Sequence, residues 1–373
     1  MQIDIDDKKS GNLESPLINC WFFPFENPNL TDIASDNENG IYSVFQNGEV
    51  LKNSADGRID WETQTGGEAV SNLLIAGQFI HLFINEKEEK KAEEQHEKQS
   101  VSTLRTLDKL TGIALRIVRL PRSDKMYLFE YNGDIIVVQQ EGLIYRIQNR
   151  SEQIVWRYAP QTRLSSKPLL FKDSIWFGNA DRLIIGVSLA DGAPLYKIQT
   201  VDVPTVISVK SVKSARNETS QIFWGDQKGF INFAVGRIKK GAKDTNIFKE
   251  RWRFRSGAEV SHLVLTPDGL LAFSFDNFAY LLSERSGGLL WKRRFDGRVS
   301  RPPLIVDDAY AIVVTDGETD ALIVKLNDGR RVNTASISPG NLFVNGALML
   351  RNKIIFPTLH GLLAFSPTRC QGN

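Results

Sequence analysis

Residues Arg285–Val306 read RSGGLLWKRRFDGRVSRPPLIV: a Gly-Gly turn, an apolar pair, a Trp, a basic run, Asp-Gly, then an apolar segment carrying Pro302 and Pro303. Ser54–Gly77, SADGRIDWETQTGGEAVSNLLIAG, repeats the arrangement. So does Asn149–Phe171, NRSEQIVWRYAPQTRLSSKPLLF. A chain that writes turn, Trp, turn, apolar strand three times is built from copies of one unit, and the period of the copies decides the fold.

The turns set that period. Asn47-Gly48, Glu141-Gly142, Ala180-Asp181, Lys228-Gly229, Asp276-Asn277, Asp316-Gly317 and His360-Gly361 recur about every 40 to 48 residues, with one double gap that holds a stretched unit from Gly67 to Leu120. A second set follows about 8 to 12 residues later, at Asp56-Gly57, Thr111-Gly112, Asp191-Gly192, Lys240-Gly241, Gly287-Gly288 and Asp328-Gly329. Glycine accepts the positive φ of tight hairpin turns, so each pair joins two antiparallel strands. The intervening segments, such as IYSVFQ, SIWFGN, LLAFSFD and YAIVVTD, are rich in β-branched and aromatic residues. No long amphipathic helix is written anywhere. Four antiparallel strands per unit make a propeller blade, and the units number eight: an all-β, eight-bladed β-propeller.

The last unit lacks a Trp-bearing outer strand before the chain ends, and LINCWFFPF, residues 17–25, carries Trp21 with no unit of its own. The amino terminus is therefore expected to complete the last blade and close the ring, which removes the exposed ends of an open array. Residues 1–16 are then a disordered or extended tail, 17–370 a single propeller, and 371–373 a carboxyl-terminal tail. The same closure brings Cys20, at the start of the closing strand, near Cys370, just after the third strand of that blade. A disulfide there would latch the ring and imply an oxidising compartment; two separate thiols are the alternative.

Bulk properties exclude little. The 373 residues are 42% hydrophobic and 24% charged, with a formal net charge of +2, so the whole chain has no electrostatic bias toward nucleic acid. No apolar run approaches the roughly 18 residues of a membrane span. MQIDIDDKKSGNLESP has neither the basic nor the apolar region of a signal peptide. A periplasmic or outer-membrane-associated location is the expectation if the disulfide forms, and a cytoplasmic one if it does not.

LRTLDKLTGIAL (Leu104–Leu115), VSLADGAPLY (Val187–Tyr196), LLSERSGGLLW (Leu281–Trp291) and IVKLNDGRRV (Ile323–Val332) resemble the pyrroloquinoline-quinone (PQQ)-type repeat, whose blades read strand, L-x-A-x-D-x-x-T-G, then a strand with Trp. Within that superfamily, an eight-bladed ring of this length without catalytic insertions is similar to the BamB-type outer-membrane assembly lipoproteins. The resemblance implies a non-enzymatic scaffold, monomeric within a complex, whose partners are proteins such as an outer-membrane barrel assembly complex. It also implies that each outer-strand Trp docks into the neighbouring blade. Trp21, Trp61, Trp156, Trp252 and Trp291 match that position, while Leu115, Tyr196 and Val332 stand about where the other blades would carry it. Quinoprotein members need a vicinal Cys pair beside the cofactor; Cys20 and Cys370 are not vicinal, so no cofactor is expected.

Chemistry is otherwise sparse. His81, His96, His262 and His360 have no metal-ligand spacing, and no phosphate loop or nucleophile elbow is present. Three surface features stand out. NEKEEKKAEEQHEKQ, residues 85–99, is a charged insertion in the second blade, read as a solvated loop or a partner-binding arm. SVKSVKSARNETSQ, residues 208–221, reads as a polar interblade or hairpin loop with a glycosylation sequon. The most basic stretch alternates Arg251, Arg253 and Arg255 with Trp252 and Phe254, as the two faces of a strand do, and Arg293 and Arg294 follow Trp291. This stripe is the candidate partner-binding surface; nucleic acid is the less favoured occupant. A ligand-binding sensor using the central funnel and a degenerate quinoprotein remain as alternatives.

Overall fold

The computed structural model describes residues 12–36, 39–86, 101–160, 162–213, 218–237 and 248–370. Among these, every regular element is a strand, and the strands form eight antiparallel sheets. In chain order, blade 1 spans 30–64, blade 2 67–121, blade 3 126–158, blade 4 169–199, blade 5 204–255, blade 6 260–294 and blade 7 304–336. Blade 8 takes three strands from 348–366 and its fourth from the amino-terminal Ile18–Pro24, which pairs antiparallel with Gly361–Ser366. The expected eight-bladed propeller, closed by the amino-terminal strand, is the observed fold. In blade 2 the innermost position is shared by two short strands, Gly67–Ala69 and Leu74–Ala76, both paired with Phe79–Glu86.

The burial pattern of each strand follows from its place in the blade. At five of the eight joints the first strands of adjacent blades touch one another, as expected of strands that surround the axis. Second and third strands are covered on both faces by neighbouring blades. Gly40–Phe45, Gly269–Ser274, Lys353–Thr358 and Gly361–Ser366 are buried at every position, which explains their unbroken apolar character. Fourth strands lie on the rim and alternate, as in Ile59–Gln64 and Phe248–Arg255.

The hydrophobic core is correspondingly divided. It falls into eight clusters, and each straddles one joint between two successive blades. The closing joint, between blades 8 and 1, packs Ile41 against Leu350, Ile355 and Leu362, with Trp21 and Phe23 alongside. Apolar burial drives every joint, so the stability of the ring is spread around it rather than concentrated in one centre.

Two sequence readings need correction or completion. The stretch 208–221 is not a loop over most of its length: Pro204–Lys213 and Glu218–Asp226 pair as a long hairpin, because SVKSV alternates as a strand does. At the amino terminus, Leu13 is wholly buried in the cluster between blades 7 and 8, so residues 12–16 are anchored. Residues 1–11, 371–373, Asn217 of the sequon and the charged insertion beyond Glu86 lie outside the described residues.

Candidate interaction surfaces

The outer joints repeat one device. The indole Nε1 of Trp21 donates to Ala55 O of the next blade at 3.1 Å, Trp61 to Lys109 O at 3.2 Å, Trp156 to Leu189 O at 3.1 Å, Trp252 to Glu284 O at 2.8 Å and Trp291 to Leu326 O at 2.7 Å. Each acceptor lies in or beside the turn before its own blade's outer strand. Each ring also lies against a glycine of that turn: Gly57, Gly112, Gly192, Gly287 and Gly329 respectively, all with φ between +68° and +86°. A side chain on any of them would stand within 3 Å of the ring. Indole burial and a satisfied N–H thus come together at each joint.

At the remaining joints the register shows which residues replace Trp. Every outer strand has an irregularity one residue before the docking position, as between Lys52 and Asn53 opposite Trp61. The equivalent residues are therefore Arg116, Tyr196 and Asn333, so the sequence assignment holds for Tyr196 but is one residue short at Leu115 and Val332. Leu115 points outward. The bulge is the cause: it adds a residue that spacing alone does not reveal. The function of the position survives the replacements. Arg116 Nη1 donates to Asn149 O in the turn of blade 3. Tyr196 stacks on Trp176 at 4.7 Å and meets Phe248 of blade 5 edge-on at 5.9 Å. Asn333 Nδ2 donates to Leu13 O at 2.9 Å and Ser15 O at 2.6 Å.

Near the axis a second set of side chains joins blade to blade. Asp32 Oδ2 accepts from Leu73 N at 2.8 Å. Asn72 accepts from Leu128 N at 2.8 Å and donates to Leu128 O at 3.1 Å. Ser165 donates to Pro204 O at 2.6 Å, Thr205 to Val260 O at 2.7 Å and Ser261 to Val299 O at 2.9 Å. Ser35 donates to Met349 O at 3.1 Å across the closing joint. Sequence reasoning missed this set, which ties six of the eight joints, although a Ser, Thr, Asn or Asp in or beside the inner strand was a visible signal.

The titratable groups in this region serve the same packing. Burial, with the nearby Arg116 charge second, holds the pKa of His81 down to about 4. Its Nδ1 meets Thr106 Oγ1 at 2.9 Å, so it is a hydrogen-bonded core residue. His262 is lowered to about 4, by burial first and then by the charge of Lys167. Burial raises the Asp32 carboxyl, against the opposing effect of its backbone hydrogen bonds. No group of three His, Cys, Asp or Glu residues arranged to hold a metal occurs among the described residues.

Cys20 and Cys370 are joined as a disulfide across a sequence separation of 350, with their Cα atoms 5.4 Å apart. The bond lies beside the pairing of Ile18–Pro24 with Gly361–Ser366, at the one place where the ring is not closed by continuous chain.

The rim is the large free surface. Arg251, Arg253 and Arg255 lie exposed on the outer strand of blade 5, and Lys292, Arg293 and Arg294 on that of blade 6. The structure thus sets the two halves of the basic stripe on successive outer strands. Exposed apolar residues dot the other edges, including Ile113, Leu115 and Ile117 on blade 2 and Ile154 and Val155 on blade 3. No helix among the described residues is long and apolar enough to cross a membrane.

The architecture defines an eight-bladed β-propeller with tied joints and a free rim. Among solved structures, the chain is similar to BamB from Moraxella catarrhalis, with a TM-score of 0.64 and 18% identity over 96% of this chain and 99% of that one. The C-terminal WD40 domain of Sif2 gives a TM-score of 0.69 at 12% identity, covering 94% and 98%. The dihydro-heme d1 dehydrogenase NirN, in complex with DHE, gives 0.63 at 12% identity, covering 83% and 67%. At these identities the likeness is one of fold. No family model matches the chain, and no curated protein matches it.

Proposed function

We propose that the protein is a non-catalytic scaffold that binds other proteins through its rim and interblade loops, in the bacterial cell envelope and in outer-membrane protein assembly. The observation that carries this reading is the division of labour among side chains. Polar groups at the axis and indoles at the joints are spent on tying blade to blade, while eight outer strands present edges unpaired among the described residues, and exposed side chains, to solvent. Such edges suit recognition by strand addition. Full-length similarity in fold to BamB and to a WD40 domain is compatible with a scaffold. The PQQ-type repeat resemblance and the Cys20–Cys370 disulfide, which suits an oxidising compartment, favour the envelope.

Cross-linking in the native host, followed by identification of what co-purifies, tests the reading. Recovery of an outer-membrane barrel or periplasmic chaperone supports it. Cytoplasmic partners together with free thiols at Cys20 and Cys370 would overturn the envelope assignment and leave the propeller. A second reading, small-ligand binding in the funnel, is favoured by exposed Lys167, whose charge reaches Asp32 of blade 1 and His262 of blade 6. Thermal shift with a panel of sugars and quinones distinguishes it.

A further inference from the structure

The outer strands of blades 5 and 6, Phe248–Arg255 and Leu289–Arg294, read FKERWRFR and LLWKRR. Together they carry Lys249, Arg251, Arg253, Arg255, Lys292, Arg293 and Arg294 against one carboxylate, Glu250, in a chain whose net charge is only +2. Cations on an edge strand commonly guard it against unwanted pairing. That role alone would distribute them around the rim. The other outer strands carry between none, in Ile18–Pro24 and Ile59–Gln64, and two, in Ala114–Pro121. Among the described residues none of the seven cations makes an ion pair. Arg253 instead donates to Asn232 Oδ1 at 2.8 Å and Arg293 to Gly329 O at 2.6 Å, which fixes their direction.

Between these strands lies a cleft of about 510 Å³ lined by Phe254, Arg255, Phe278, Tyr280, Leu289 and Lys292. Its floor is aromatic: Phe254 meets Tyr280 edge-on at 5.5 Å. Lys292 Nζ sits 3.7 Å from the centroid of Phe278 and 5.0 Å from that of Tyr280. The one carboxylate in the cleft, Asp276, is already engaged, accepting from Gly257 N at 2.6 Å, Phe278 N at 3.1 Å and the Tyr280 hydroxyl. Among the described residues Arg255 and Lys292 therefore have no carboxylate partner, each lying instead over an aromatic ring, Arg255 over Phe230 and Lys292 over Phe278.

We propose that this double edge is the docking site for an extended, acidic segment of a protein partner. The proposal rests on the scaffold reading and names the chemistry of its partner. The segment adds as a fifth strand along the outer edge of blade 5, where no strand among the described residues is paired with Phe248–Arg255 on that side. Its alternate side chains recur about every 6.8 Å, the spacing at which Arg253 and Arg255 recur on the strand it joins, with Arg251 set at the bulge just before them. Acidic residues on that face meet the arginines, and an apolar residue enters the cleft beside Phe254 and Leu289. An anionic bilayer or a nucleic acid supplies the charge but lacks the alternating backbone donors and acceptors that a strand edge selects.

The test uses the whole chain and a fluorescent ten-residue peptide of alternating Glu and Val, followed by anisotropy. Saturable binding is expected, weakening with salt and falling at least tenfold in Arg251→Glu/Arg294→Glu. Arg119→Glu/Arg122→Glu, on and just after the outer strand of blade 2, should bind as the parent does, and the melting curves of both variants should match the parent's. A peptide N-methylated at alternate positions should bind at least tenfold more weakly. The proposal is overturned if the peptide does not bind, if the blade 5 and 6 variant binds it equally, or if the N-methylated peptide binds as well. It is also overturned if vesicles containing anionic lipid or single-stranded DNA compete more strongly than unlabelled peptide. Failure here, with partners still cross-linked at other blades, removes this site and leaves the scaffold reading standing.

Discussion

Trp156 of blade 3 lies against Gly192 of blade 4 so closely that a methyl group on Gly192 would stand 2.7 Å from Cε3 of the indole. The glycine also holds φ at +74°. Both facts forbid a side chain, one through the ring and one through the backbone. Gly133 separates them: its φ is +81°, but nothing lies within 4 Å of the Cβ it lacks. Gly133→Ala should cost about 1 kcal/mol from backbone strain alone. Gly192→Ala should cost about 3 kcal/mol, since overpacking adds 1–3 kcal/mol to the same strain. Urea denaturation of the two variants measures the difference; equal losses would mean that the ring contact contributes nothing.

The Cys20–Cys370 bond closes a loop of nearly the whole chain. Chain-entropy reasoning gives such a cross-link about 5 kcal/mol. Reduction need not unfold the ring at once, because Ile18–Pro24 also pairs with the third strand and Trp21 docks on blade 1. The expected result of Cys20→Ser/Cys370→Ser is a lower denaturation midpoint together with faster amide exchange concentrated in residues 18–24. An intact mass two hydrogens below that of the reduced chain checks the bond. A midpoint unchanged on reduction would show that the latch carries no stability.

How far the sequence could be read follows from what each feature depends on. Blade number and ring closure depend on turn spacing and on one orphan strand around Trp21, both of which are local patterns. Spacing places the docking residues of blades 2 and 7 one residue early, at Leu115 and Val332 rather than Arg116 and Asn333, because a bulge shifts register without changing composition. Arg116 and Asn333 share no side-chain class with Trp; what unites them is a donor aimed at the next blade's backbone, which only the fold reveals. The basic stripe was visible as a run of residues. That Arg255 and Lys292 border one cleft depends on the packing of blades 5 and 6.

Asn333 holds the described start of the chain. Its amide donates to Leu13 O and Ser15 O, while Glu14 Oε1 accepts from Lys325 Nζ at 2.7 Å and from the Tyr310 hydroxyl at 3.0 Å. Losing both amide bonds in Asn333→Ala should cost about 2 kcal/mol, at roughly 1 kcal/mol per hydrogen bond. Leu13→Ala removes a fully buried side chain and should cost about 3 kcal/mol. In both variants protease cleavage within residues 12–16 should accelerate before the propeller itself melts. Cleavage at the parent's rate in both would show that these contacts do not hold the segment.

His81 makes stability fall in mild acid. Its folded pKa is about 4 against an ordinary 6.5, because burial disfavours the imidazolium. Between those values the unfolded chain binds a proton that the folded chain refuses, so stability rises with pH through this window and is lost as pH falls through it. From pH 7.5 to 5 the loss attributable to this residue is about 2 kcal/mol. His262, lowered to about 4 by the same cause, adds to it. Asp32 acts in the opposite sense: burial raises its carboxyl, so the folded state takes up its proton first and stability is regained as pH falls through that raised value toward the ordinary one. Replacing His81 with its partner, as His81→Leu/Thr106→Val, removes the titrating group and its hydrogen-bonding mate together while leaving His262 and Asp32 in place. The urea midpoint of that variant should fall less than the parent's between pH 7.5 and 5. If both fall equally, His81 is not held neutral by burial, and the acid sensitivity of the ring has another origin.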